Sequence, residues 1–152
     1  MPTFKGHLRD EELEAVIAYV KSFSREWKKK ERHADSIELP ERPEWMKSLD
    51  RSKSHAKSGK QTYTTHCAVC HGAEGKGDGP GGFALKDVWG FDIIPGDLSG
   101  EHHKSGDRAE YLFRAISTGR DGTPMIGFRG ALKDEQIWDL IAFIGTLKRE
   151  KK

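Results

Sequence analysis

The chain has 152 residues, of which 35% are hydrophobic and 33% are charged, a length and composition that predict one compact domain with an appendage. Its formal net charge is only +2, with both signs mixed along the sequence, which excludes a general nucleic-acid-binding protein. No stretch approaches the roughly 18 apolar residues of a membrane span. Glycine is frequent, at 17 residues, and large apolar side chains are few, so we expect a group other than side chains to fill part of the interior.

An internal repeat relates the two ends of the chain. Residues 1–23 align with residues 125–147 at a constant offset of 124, and eight of the 23 paired positions are identical. The shared residues include a methionine, a phenylalanine and a glycine ahead of the helical segment, which chance convergence of two amphipathic helices does not explain. We interpret residues 1–32 as the C-terminal helix of a preceding module, 33–52 as a linker and 53–152 as a complete second module.

Each copy of the repeat predicts a helix. Asp10 and Asp134 stand where an N-cap is expected, with acidic residues in the first turn that follows. Apolar residues then recur at helical spacing and predict one buried stripe per helix. The stripes consist of Leu13, Val16, Ile17, Val20 and Phe23 in the first copy and of Ile137, Leu140, Ile141, Ile144 and Leu147 in the second.

Two more helices are predicted between the copies, over about Ser52–Cys67 and Asp107–Thr118. Pro40 and Pro43 prevent helix propagation in the linker. The glycine-rich residues 72–82 and residues 87–100 are predicted to be loops without strands. The sequence therefore predicts an all-α domain with long loops, an arrangement that suits a domain wrapped around a large rigid ligand.

The only two cysteines, Cys67 and Cys70, lie in the segment C-A-V-C-H. Cysteines this close in sequence cannot connect distant parts of a fold, which excludes a disulfide framework. C-x-x-C-H is the attachment sequence of c-type haem, in which both thiols bond to the porphyrin and the adjacent His71 supplies the proximal iron ligand. A zinc site would need further ligands such as His102 and His103, and a thioredoxin-like redox motif would need a βαβ setting that the sequence lacks.

A distal iron ligand is predicted in the segment G-R-D-G-T-P-M, just before the last helix. Met125 ends this segment, 54 residues after His71, and Pro124 stiffens the approach to it. A thioether is a soft neutral donor that suits low-spin haem iron, and His/Met ligation raises the reduction potential. The alternatives are a methionine that only fills the core, a distal His102 or His103, and an open iron position.

These motifs resemble the class I cytochromes c, most closely the diheme periplasmic cytochromes whose modules read C-H-G, glycine-rich loop, P-x-D-L, G-T-P-M loop and closing helix. The resemblance covers residues 53–152 in full and residues 1–23 as the end of a preceding module. It implies a cytochrome c fold of three to five helices around one covalent haem c, with an extra N-terminal helix. It also implies a close crossing of the first and last helices of the module at Gly59, Tyr63 and Phe143.

The resemblance further implies which residues surround the haem. Pro95 and Leu98 belong to the segment P-G-D-L, which corresponds to the family's loop over one haem edge. Trp89 and three arginines are weaker candidates for contacts to the haem edge or the propionates, with solvated surface positions as the alternative for the arginines: Arg108, Arg114 and Arg120. The predicted haem contacts beside the attachment motif and Met125 are thus Tyr63, Trp89, Pro95, Leu98, Arg120 and Pro124.

Two departures from the family pattern are visible. Ile126 stands where the family often has a proline after the distal methionine, and Pro2 keeps that proline in the partial copy. Met1 corresponds to a distal ligand, but the chain contains no second C-x-x-C-H for that module. We therefore expect this chain to bind one haem and to be a fragment of a diheme cytochrome, a deliberately shortened version of one, or a natural remnant whose first helix packs on the remaining domain.

One-electron transfer is the function that these predictions favour, because two axial protein ligands leave no iron position for a substrate. The chain would then be a carrier rather than an enzyme, either alone or within a larger multi-subunit oxidoreductase, and its partners would be redox proteins that dock transiently. The alternative is a haem enzyme of peroxidase or nitrogen-oxide type, or a ligand sensor, with a labile distal ligand assisted by His102 or His103.

The expected compartment follows from the chemistry of haem attachment. Residues 1–10 lack the basic region and apolar segment of a signal peptide. The resemblance implies that haem is attached outside the bacterial cytoplasm. We therefore expect a periplasmic or otherwise extracytoplasmic protein whose signal peptide is missing from this chain.

Overall fold

The computed structural model describes residues 7–23, 25, 38–100 and 108–147 and divides the chain into two compact units, Met1–Glu38 and Leu39–Lys152. Within these described ranges the secondary structure consists of five α-helices, two 3-10 turns and two strands of two residues each. The all-α class predicted from the sequence is thereby confirmed.

The first unit contains helix α1, Asp10–Ser22, at the predicted place. Its apolar stripe is not buried, since the exposed fractions of Val16, Ile17, Val20 and Phe23 run from 44% to 70%. The prediction of a buried stripe is therefore wrong for α1. The physical reason is that the described residues of this unit include no second element against which the stripe can pack.

The second unit holds the remaining elements. A 3-10 turn over Glu44–Lys47 precedes helix α2, Leu49–His66, and the short helix α3, Ala68–His71. A second 3-10 turn over Pro80–Gly82 leads to strands β1, Leu85–Lys86, and β2, Asp92–Ile93. Helices α4, Ala109–Thr118, and α5, Asp134–Thr146, complete the unit. The helices over 49–66, 109–118 and 134–146 confirm those predicted from the sequence.

Both repeat helices begin one residue earlier than predicted. The cap residues are Arg9 and Lys133, whose backbones are extended, and the two aspartates occupy the first helical position. The backbone N–H of each cap donates to the side chain three residues on, Glu12 or Gln136, at 2.9 Å. The aspartates still stabilise the helices, because a carboxylate in the first turn faces the positive end of the helix dipole.

Strand β2 lies within residues 87–100, which were predicted to contain no strand, so that prediction is wrong there. Strand β1, which directly precedes this segment, pairs with β2 in an antiparallel hairpin. Leu85 pairs with Ile93 and Lys86 pairs with Asp92. The carboxylate of Asp87 closes the hairpin, because its Oδ1 accepts backbone N–H bonds from residues 89 and 91, each at 2.9 Å. These local side-chain bonds form the turn of the hairpin. The alternation of apolar and polar residues by which strands are predicted is absent here, so the sequence pattern did not indicate the strands.

Residues 39–52, predicted as linker, belong to the second unit. Three apolar side chains from this segment pack against the core: Leu39, Trp45 and Met46. The Trp45 ring stacks on the ring of His55 in α2, with centroids 3.7 Å apart. In turn, Nδ1 of His55 lies 2.6 Å from Oδ1 of Asp139 in α5. Aromatic stacking and packing against the core therefore bind this segment to the helical domain.

The core of the second unit is the interface of α2, α4 and α5. Four of the five residues of the predicted α5 stripe are buried, since Ile137, Leu140, Ile141 and Ile144 are at most 4% exposed, and Leu147 is half-buried and packs against the core. Burial extends round α5 to Trp138, which the stripe did not include and whose ring contacts that of Phe113 in α4 at 4.6 Å between centroids. Helix α5 is therefore enclosed on two sides.

Helices α2 and α5 cross at Gly59, as the resemblance implies. A Cβ atom at this position would lie 2.0 Å from the backbone carbonyl oxygen of Asp139, so only a glycine permits the approach. One turn later, Tyr63 is 1% exposed and its ring lies 5.0 Å from that of Phe143. The Tyr63 hydroxyl donates a 2.7 Å bond to the carbonyl of Gly72, just beyond α3.

Replacing Gly59 with alanine should force α2 and α5 apart. Overpacking of this kind costs about 1–3 kcal/mol of unfolding free energy, and the backbone contact puts Gly59→Ala at the upper end. The matched control is Gly145→Ala in α5, where an added Cβ meets nothing within 4 Å. Chemical denaturation of the haem-loaded chain measures both variants, and equal stabilities would contradict the proposed crossing.

Replacing Tyr63 with phenylalanine should leave the Gly72 carbonyl without its buried donor. The expected loss is about 1–3 kcal/mol of unfolding free energy. Tyr111→Phe is the control, since Tyr111 is 44% exposed and its replacement should change the free energy little. A Tyr63→Phe variant as stable as the Tyr111→Phe variant in thermal unfolding would show that the hydroxyl bond contributes nothing.

Candidate haem-binding site

The attachment motif lies where α2 ends and α3 begins. Cys67 caps α2, while Cys70 and His71 lie in the single turn of α3. Both thiols are free and half-buried, and the Sγ atom of Cys70 lies 3.6 Å from the carbonyl oxygen of Gly81. The two thiols and the imidazole thus come from one short helical segment that is anchored to the core by α2.

Burial keeps the Cys67 thiol protonated. It raises the pKa of Cys67 to about 11, with a smaller contribution from the neighbouring Cys70. The thiolate is the form that is oxidised, and it is scarce at neutral pH. In this structure Cys67 is therefore a thiol at neutral pH.

The His71 ring is held by one backbone carbonyl. Its Nδ1 lies 3.0 Å from the oxygen of Gly96, which can only accept, so Nδ1 carries the proton. Burial lowers the pKa of His71, and the bond to Gly96 opposes this only in part, so the ring is neutral. In this tautomer the lone pair is on Nε2, the form in which an imidazole binds a metal with its other nitrogen oriented by a carbonyl.

A glycine-rich loop over residues 72–82 packs directly on the attachment helix. The backbone N–H of Gly77 donates to the carbonyl of His71 at 2.9 Å, and that of Gly79 donates to the carbonyl of Cys70 at 3.2 Å. A Cβ on Gly79 would lie 2.5 Å from the carbonyl oxygen of Val69. The loop therefore reaches α3 through backbone contacts that any side chain would prevent.

The segment Pro95–Leu98 lies across this loop. Leu98 donates its backbone N–H to the carbonyl of Gly75 at 2.6 Å, and its side chain packs against the core. Pro95 contacts the loop at two points, since a Cβ on Gly77 would lie 2.4 Å from its carbonyl oxygen and one on Gly82 would lie 2.9 Å from its ring. This segment also contains Gly96, so it connects the loop to the His71 ring.

Met125 lies in a loop tied to the end of α4. Its carbonyl accepts the backbone N–H of Arg120 at 3.0 Å, and its own N–H donates to the Thr123 hydroxyl at 3.2 Å. The Met125 side chain is half-buried, whereas Pro124 and Arg120 are exposed. Three residues further on, the ring of Phe128 lies 5.7 Å from that of His66, which directly precedes Cys67.

Trp89 is at the tip of the β1–β2 hairpin. Its side chain is 75% exposed and lies beside Gly122, where an added Cβ would be 3.6 Å from the indole. The neighbouring Val88 donates its N–H to the carbonyl of Gly122 at 3.0 Å. The hairpin tip therefore contacts the loop that carries Met125.

The predicted site residues fall into groups. The structure brings Tyr63, His71, Pro95 and Leu98 together through the glycine-rich loop, and it places Trp89 against the loop of Arg120, Pro124 and Met125. Arg108 lies 5.6 Å from the ring centroid of Tyr111 and 3.5 Å from the Glu110 carboxylate, and Arg114 is exposed. His102 and His103 lie outside the described residues.

Sequence reasoning missed the roles of Gly96 and Asp97. The Gly96 carbonyl orients His71, while Oδ1 of Asp97 accepts the N–H and hydroxyl of Ser99 at 2.8 and 2.6 Å and so shapes the same turn. The Asp-x-Ser spacing is a turn signal that could have indicated the second role. The first role has no local signal, because 25 residues separate His71 from Gly96.

The donor set fits a c-type haem. One free thiol caps the single turn of α3 and the second lies within that turn, directly before a neutral imidazole with an Nε2 lone pair. Among the described residues, no three His, Cys, Asp or Glu side chains gather as a metal cluster, so a zinc site finds no support there. None of the helices described is long and apolar enough to cross a bilayer.

The proteins to which this chain is similar include the following three. A thiosulfate dehydrogenase of Stutzerimonas stutzeri is 28% identical over 111 residues, which cover 72% of this chain and 31% of that protein. The reducing HAO-like protein complex of Kuenenia stuttgartiensis contains a chain that superposes with a TM-score of 0.76 at 31% identity, covering 93% of this chain and 62% of that one. Cytochrome CL of Methylophaga aminisulfidivorans gives a TM-score of 0.46 at 20% identity, covering 75% of this chain and 74% of that one.

The chain spans only about a third of the length of the thiosulfate dehydrogenase. A family model described as cytochrome c matches residues 56–148, which include the attachment motif, the glycine-rich loop and α5. The domain of this family carries a covalent haem c, and Cys67, Cys70 and His71 fit its C-x-x-C-H motif. This chain therefore belongs to the cytochrome c family.

Proposed function

We propose that this chain is a one-electron carrier whose haem iron is bound by His71 and Met125. Family membership supports haem-based electron transfer, and the observation that carries the finer proposal is the 3.0 Å bond between His71 Nδ1 and the Gly96 carbonyl. When bound, the haem supplies an iron that can gain or lose one electron. The protein residues supply its attachment and axial ligation and limit the access of other ligands.

His71 is prepared to act as the proximal ligand. The Gly96 carbonyl fixes both the tautomer and the direction of the ring, so no rotamer freedom has to be lost when a metal binds. The position of Gly96 depends in turn on the backbone bond between Leu98 and Gly75. The glycine-rich loop thus supports the ligand.

Met125 is the proposed distal ligand. Its backbone is bonded on both sides, through its carbonyl to Arg120 and through its N–H to Thr123, which limits the positions that the thioether can reach. The side chain is half-buried and absent from the core cluster, unlike Met46, which packs against that cluster. A methionine that only fills space would be expected in the core.

The partners of the carrier are proposed to be other redox proteins. The names of the relatives, a thiosulfate dehydrogenase and a reducing HAO-like protein complex, support a place beside or within an oxidoreductase. We propose an extracytoplasmic compartment, in line with c-type haem attachment. Both inferences rest on the relatives and the family. Because the chain covers only part of the length of these relatives, their partners and compartment are proposals for this chain.

Removing either attachment cysteine should weaken haem retention. Intact mass under denaturing conditions should show one added haem in the native chain and a markedly lower loaded fraction in Cys67→Ala and Cys70→Ala. Ser117→Ala, which changes a small buried residue of α4 away from the motif, should keep full loading. Unloaded native protein obtained from a host that attaches haem to other cytochromes c would overturn the proposal.

Removing the Met125 thioether should change the iron spectrum and potential. The charge-transfer band of methionine-bound ferric haem should be present in the native chain and absent in Met125→Ala, while Met46→Leu should keep it. Met125→His should lower the reduction potential, by an amount within the roughly 0.8 V that axial ligands span. A high-spin spectrum in the native chain would favour the alternative, a haem enzyme or ligand sensor with an open iron position.

A further inference from the structure

We propose that the tip of the β1–β2 hairpin positions the distal iron ligand, with Trp89 and the backbone of Val88 as the positioning residues. These two residues hold the Met125 loop, residues 119–129, in place and so slow the departure of the thioether from the iron. The inference rests on the proposed ligation by Met125 and adds to it which residues outside the loop keep that ligand at its position.

The two halves of the Met125 loop are supported differently. The half that follows Met125 is bonded to α4, because the backbone N–H groups of Phe128 and Arg129 each donate at 3.0 Å to a carbonyl in the last turn of that helix. The half that precedes Met125 bonds to itself. There the backbone N–H and the hydroxyl of Thr123 both donate to the carbonyl of Arg120, at 3.0 and 2.8 Å.

The hairpin tip supplies an external support for this first half. The backbone N–H of Val88 donates to the carbonyl of Gly122 at 3.0 Å. Within the described part of the chain, this is the only hydrogen bond that joins residues 121–124 to another element. Because Gly122 lies three residues before Met125, a bond at this point limits how far the first half can move away.

Side chains of the tip lie against the same glycine. A Cβ built on Gly122 would lie 3.6 Å from the Trp89 ring and 3.7 Å from the Val88 side chain, which are ordinary van der Waals distances. Trp89 is 75% exposed, and its ring atoms nearest to Gly122 are Cζ3 and Cη2, so the indole meets the loop by its edge. The carbonyl of Gly122 and one side of its backbone are therefore both covered by the tip.

The tip can hold the loop because Asp87 fixes the backbone of the turn. Its Oδ1 accepts the N–H groups of Trp89 and Phe91, each at 2.9 Å. The Asp87 carbonyl accepts the N–H of Gly90, and the Asp87 N–H donates to the carbonyl of Phe91, each at 3.0 Å. Four hydrogen bonds within residues 87–91 therefore place Trp89, although most of its side chain is in solvent.

The same segment of chain also orients the proximal ligand. Strand β2 ends at Ile93, and the carbonyl of Gly96, three residues later, accepts the bond from Nδ1 of His71 at 3.0 Å. Residues 88–96 therefore contact the Met125 loop at one end and the His71 ring at the other. The hairpin thus joins the supports of the two proposed axial ligands.

A second contact of the loop limits the effect that a change at the tip should have. The ring of Phe128, three residues after Met125, lies 5.7 Å from the ring of His66. Without the hairpin contact, the loop is still bonded to α4 and still lies beside His66. Variants of the tip should therefore fold, bind haem and keep the thioether on the iron, and only the rate at which the thioether leaves should change.

The test measures how fast imidazole replaces the Met125 thioether in the haem-loaded full chain with ferric iron. The bond from the iron to the sulfur breaks, and an imidazole nitrogen donates its lone pair in its place, with no change of oxidation state. At saturating imidazole the rate is that at which the thioether leaves, followed as loss of the methionine charge-transfer band. Trp89→Ala should raise this limiting rate about three- to tenfold, the factor expected for one contact of hydrogen-bond strength.

Three further variants define which part of the hairpin acts. Asp87→Ala, which releases the whole turn, should raise the limiting rate at least as much as Trp89→Ala does. Trp89→Phe keeps an apolar ring at the tip and should stay close to the native rate. Lys86→Ala is the matched control, because it removes an exposed ion pair with Asp92 on the strands and leaves the tip intact, so the native rate is expected.

A second readout does not involve the iron. The amide proton of Val88 is bonded to the carbonyl of Gly122, so its exchange with deuterated water, resolved by NMR, reports the contact between tip and loop directly. Trp89→Ala should speed this exchange, whereas Lys86→Ala should leave it at the native rate. Unchanged exchange in Trp89→Ala would contradict the role given to the indole.

The outcomes separate this inference from the proposed ligation. If the native chain shows the methionine band but Trp89→Ala and Asp87→Ala leave the limiting rate unchanged, the inference is wrong and ligation by Met125 stands. If Lys86→Ala accelerates replacement as much as Trp89→Ala does, general stability of the hairpin acts rather than its tip, and the inference is again wrong. A native chain without the band overturns ligation by Met125 and this inference with it.

Discussion

The close crossing of α2 and α5 is the constraint on which the site depends. At Gly59 the two backbones approach so closely that the carbonyl of Asp139 occupies the space of a side chain. This approach lets Tyr63 pack on Phe143 and donate its hydroxyl to the carbonyl of Gly72. Burial raises the pKa of Tyr63 above its usual range, so the hydroxyl remains a donor at neutral pH. The residue after His71 is thereby held by the core.

Around the attachment motif, the loops pack on one another mainly through backbone contacts rather than through side chains. The glycine-rich loop packs on α3 through carbonyls and amides, and the segment Pro95–Leu98 packs on that loop in the same way. Few large side chains stand in this part of the molecule, in agreement with the high glycine content. Such a backbone arrangement is consistent with a rigid haem that supplies apolar surface, because large side chains in the glycine-rich loop or in the segment Pro95–Leu98 would compete with the haem for space.

The comparison of α1 with α5 separates local from tertiary effects. Caps, helix length and carboxyl-terminal bonds are the same in both, because these depend on neighbouring residues that the repeat preserves. Burial differs, because it depends on elements distant in sequence. An identical residue such as Ile17 or Ile141 is therefore a core residue only where a partner helix is present.

The sequence by itself determined the helices, the attachment motif and the glycine and tyrosine of the crossing. The helices and the motif are properties of spacing and residue type within a few turns, whereas the glycine and tyrosine of the crossing were implied by the resemblance of the sequence to the family. Tertiary structure alone decided that Gly96 orients His71 and that Trp45 binds the expected linker to the core. It also decided that β1 and β2 pair and that the α1 stripe is exposed. Each of these depends on the placement of backbone or apolar surface that is remote along the chain, where neither periodicity nor residue type provides a signal.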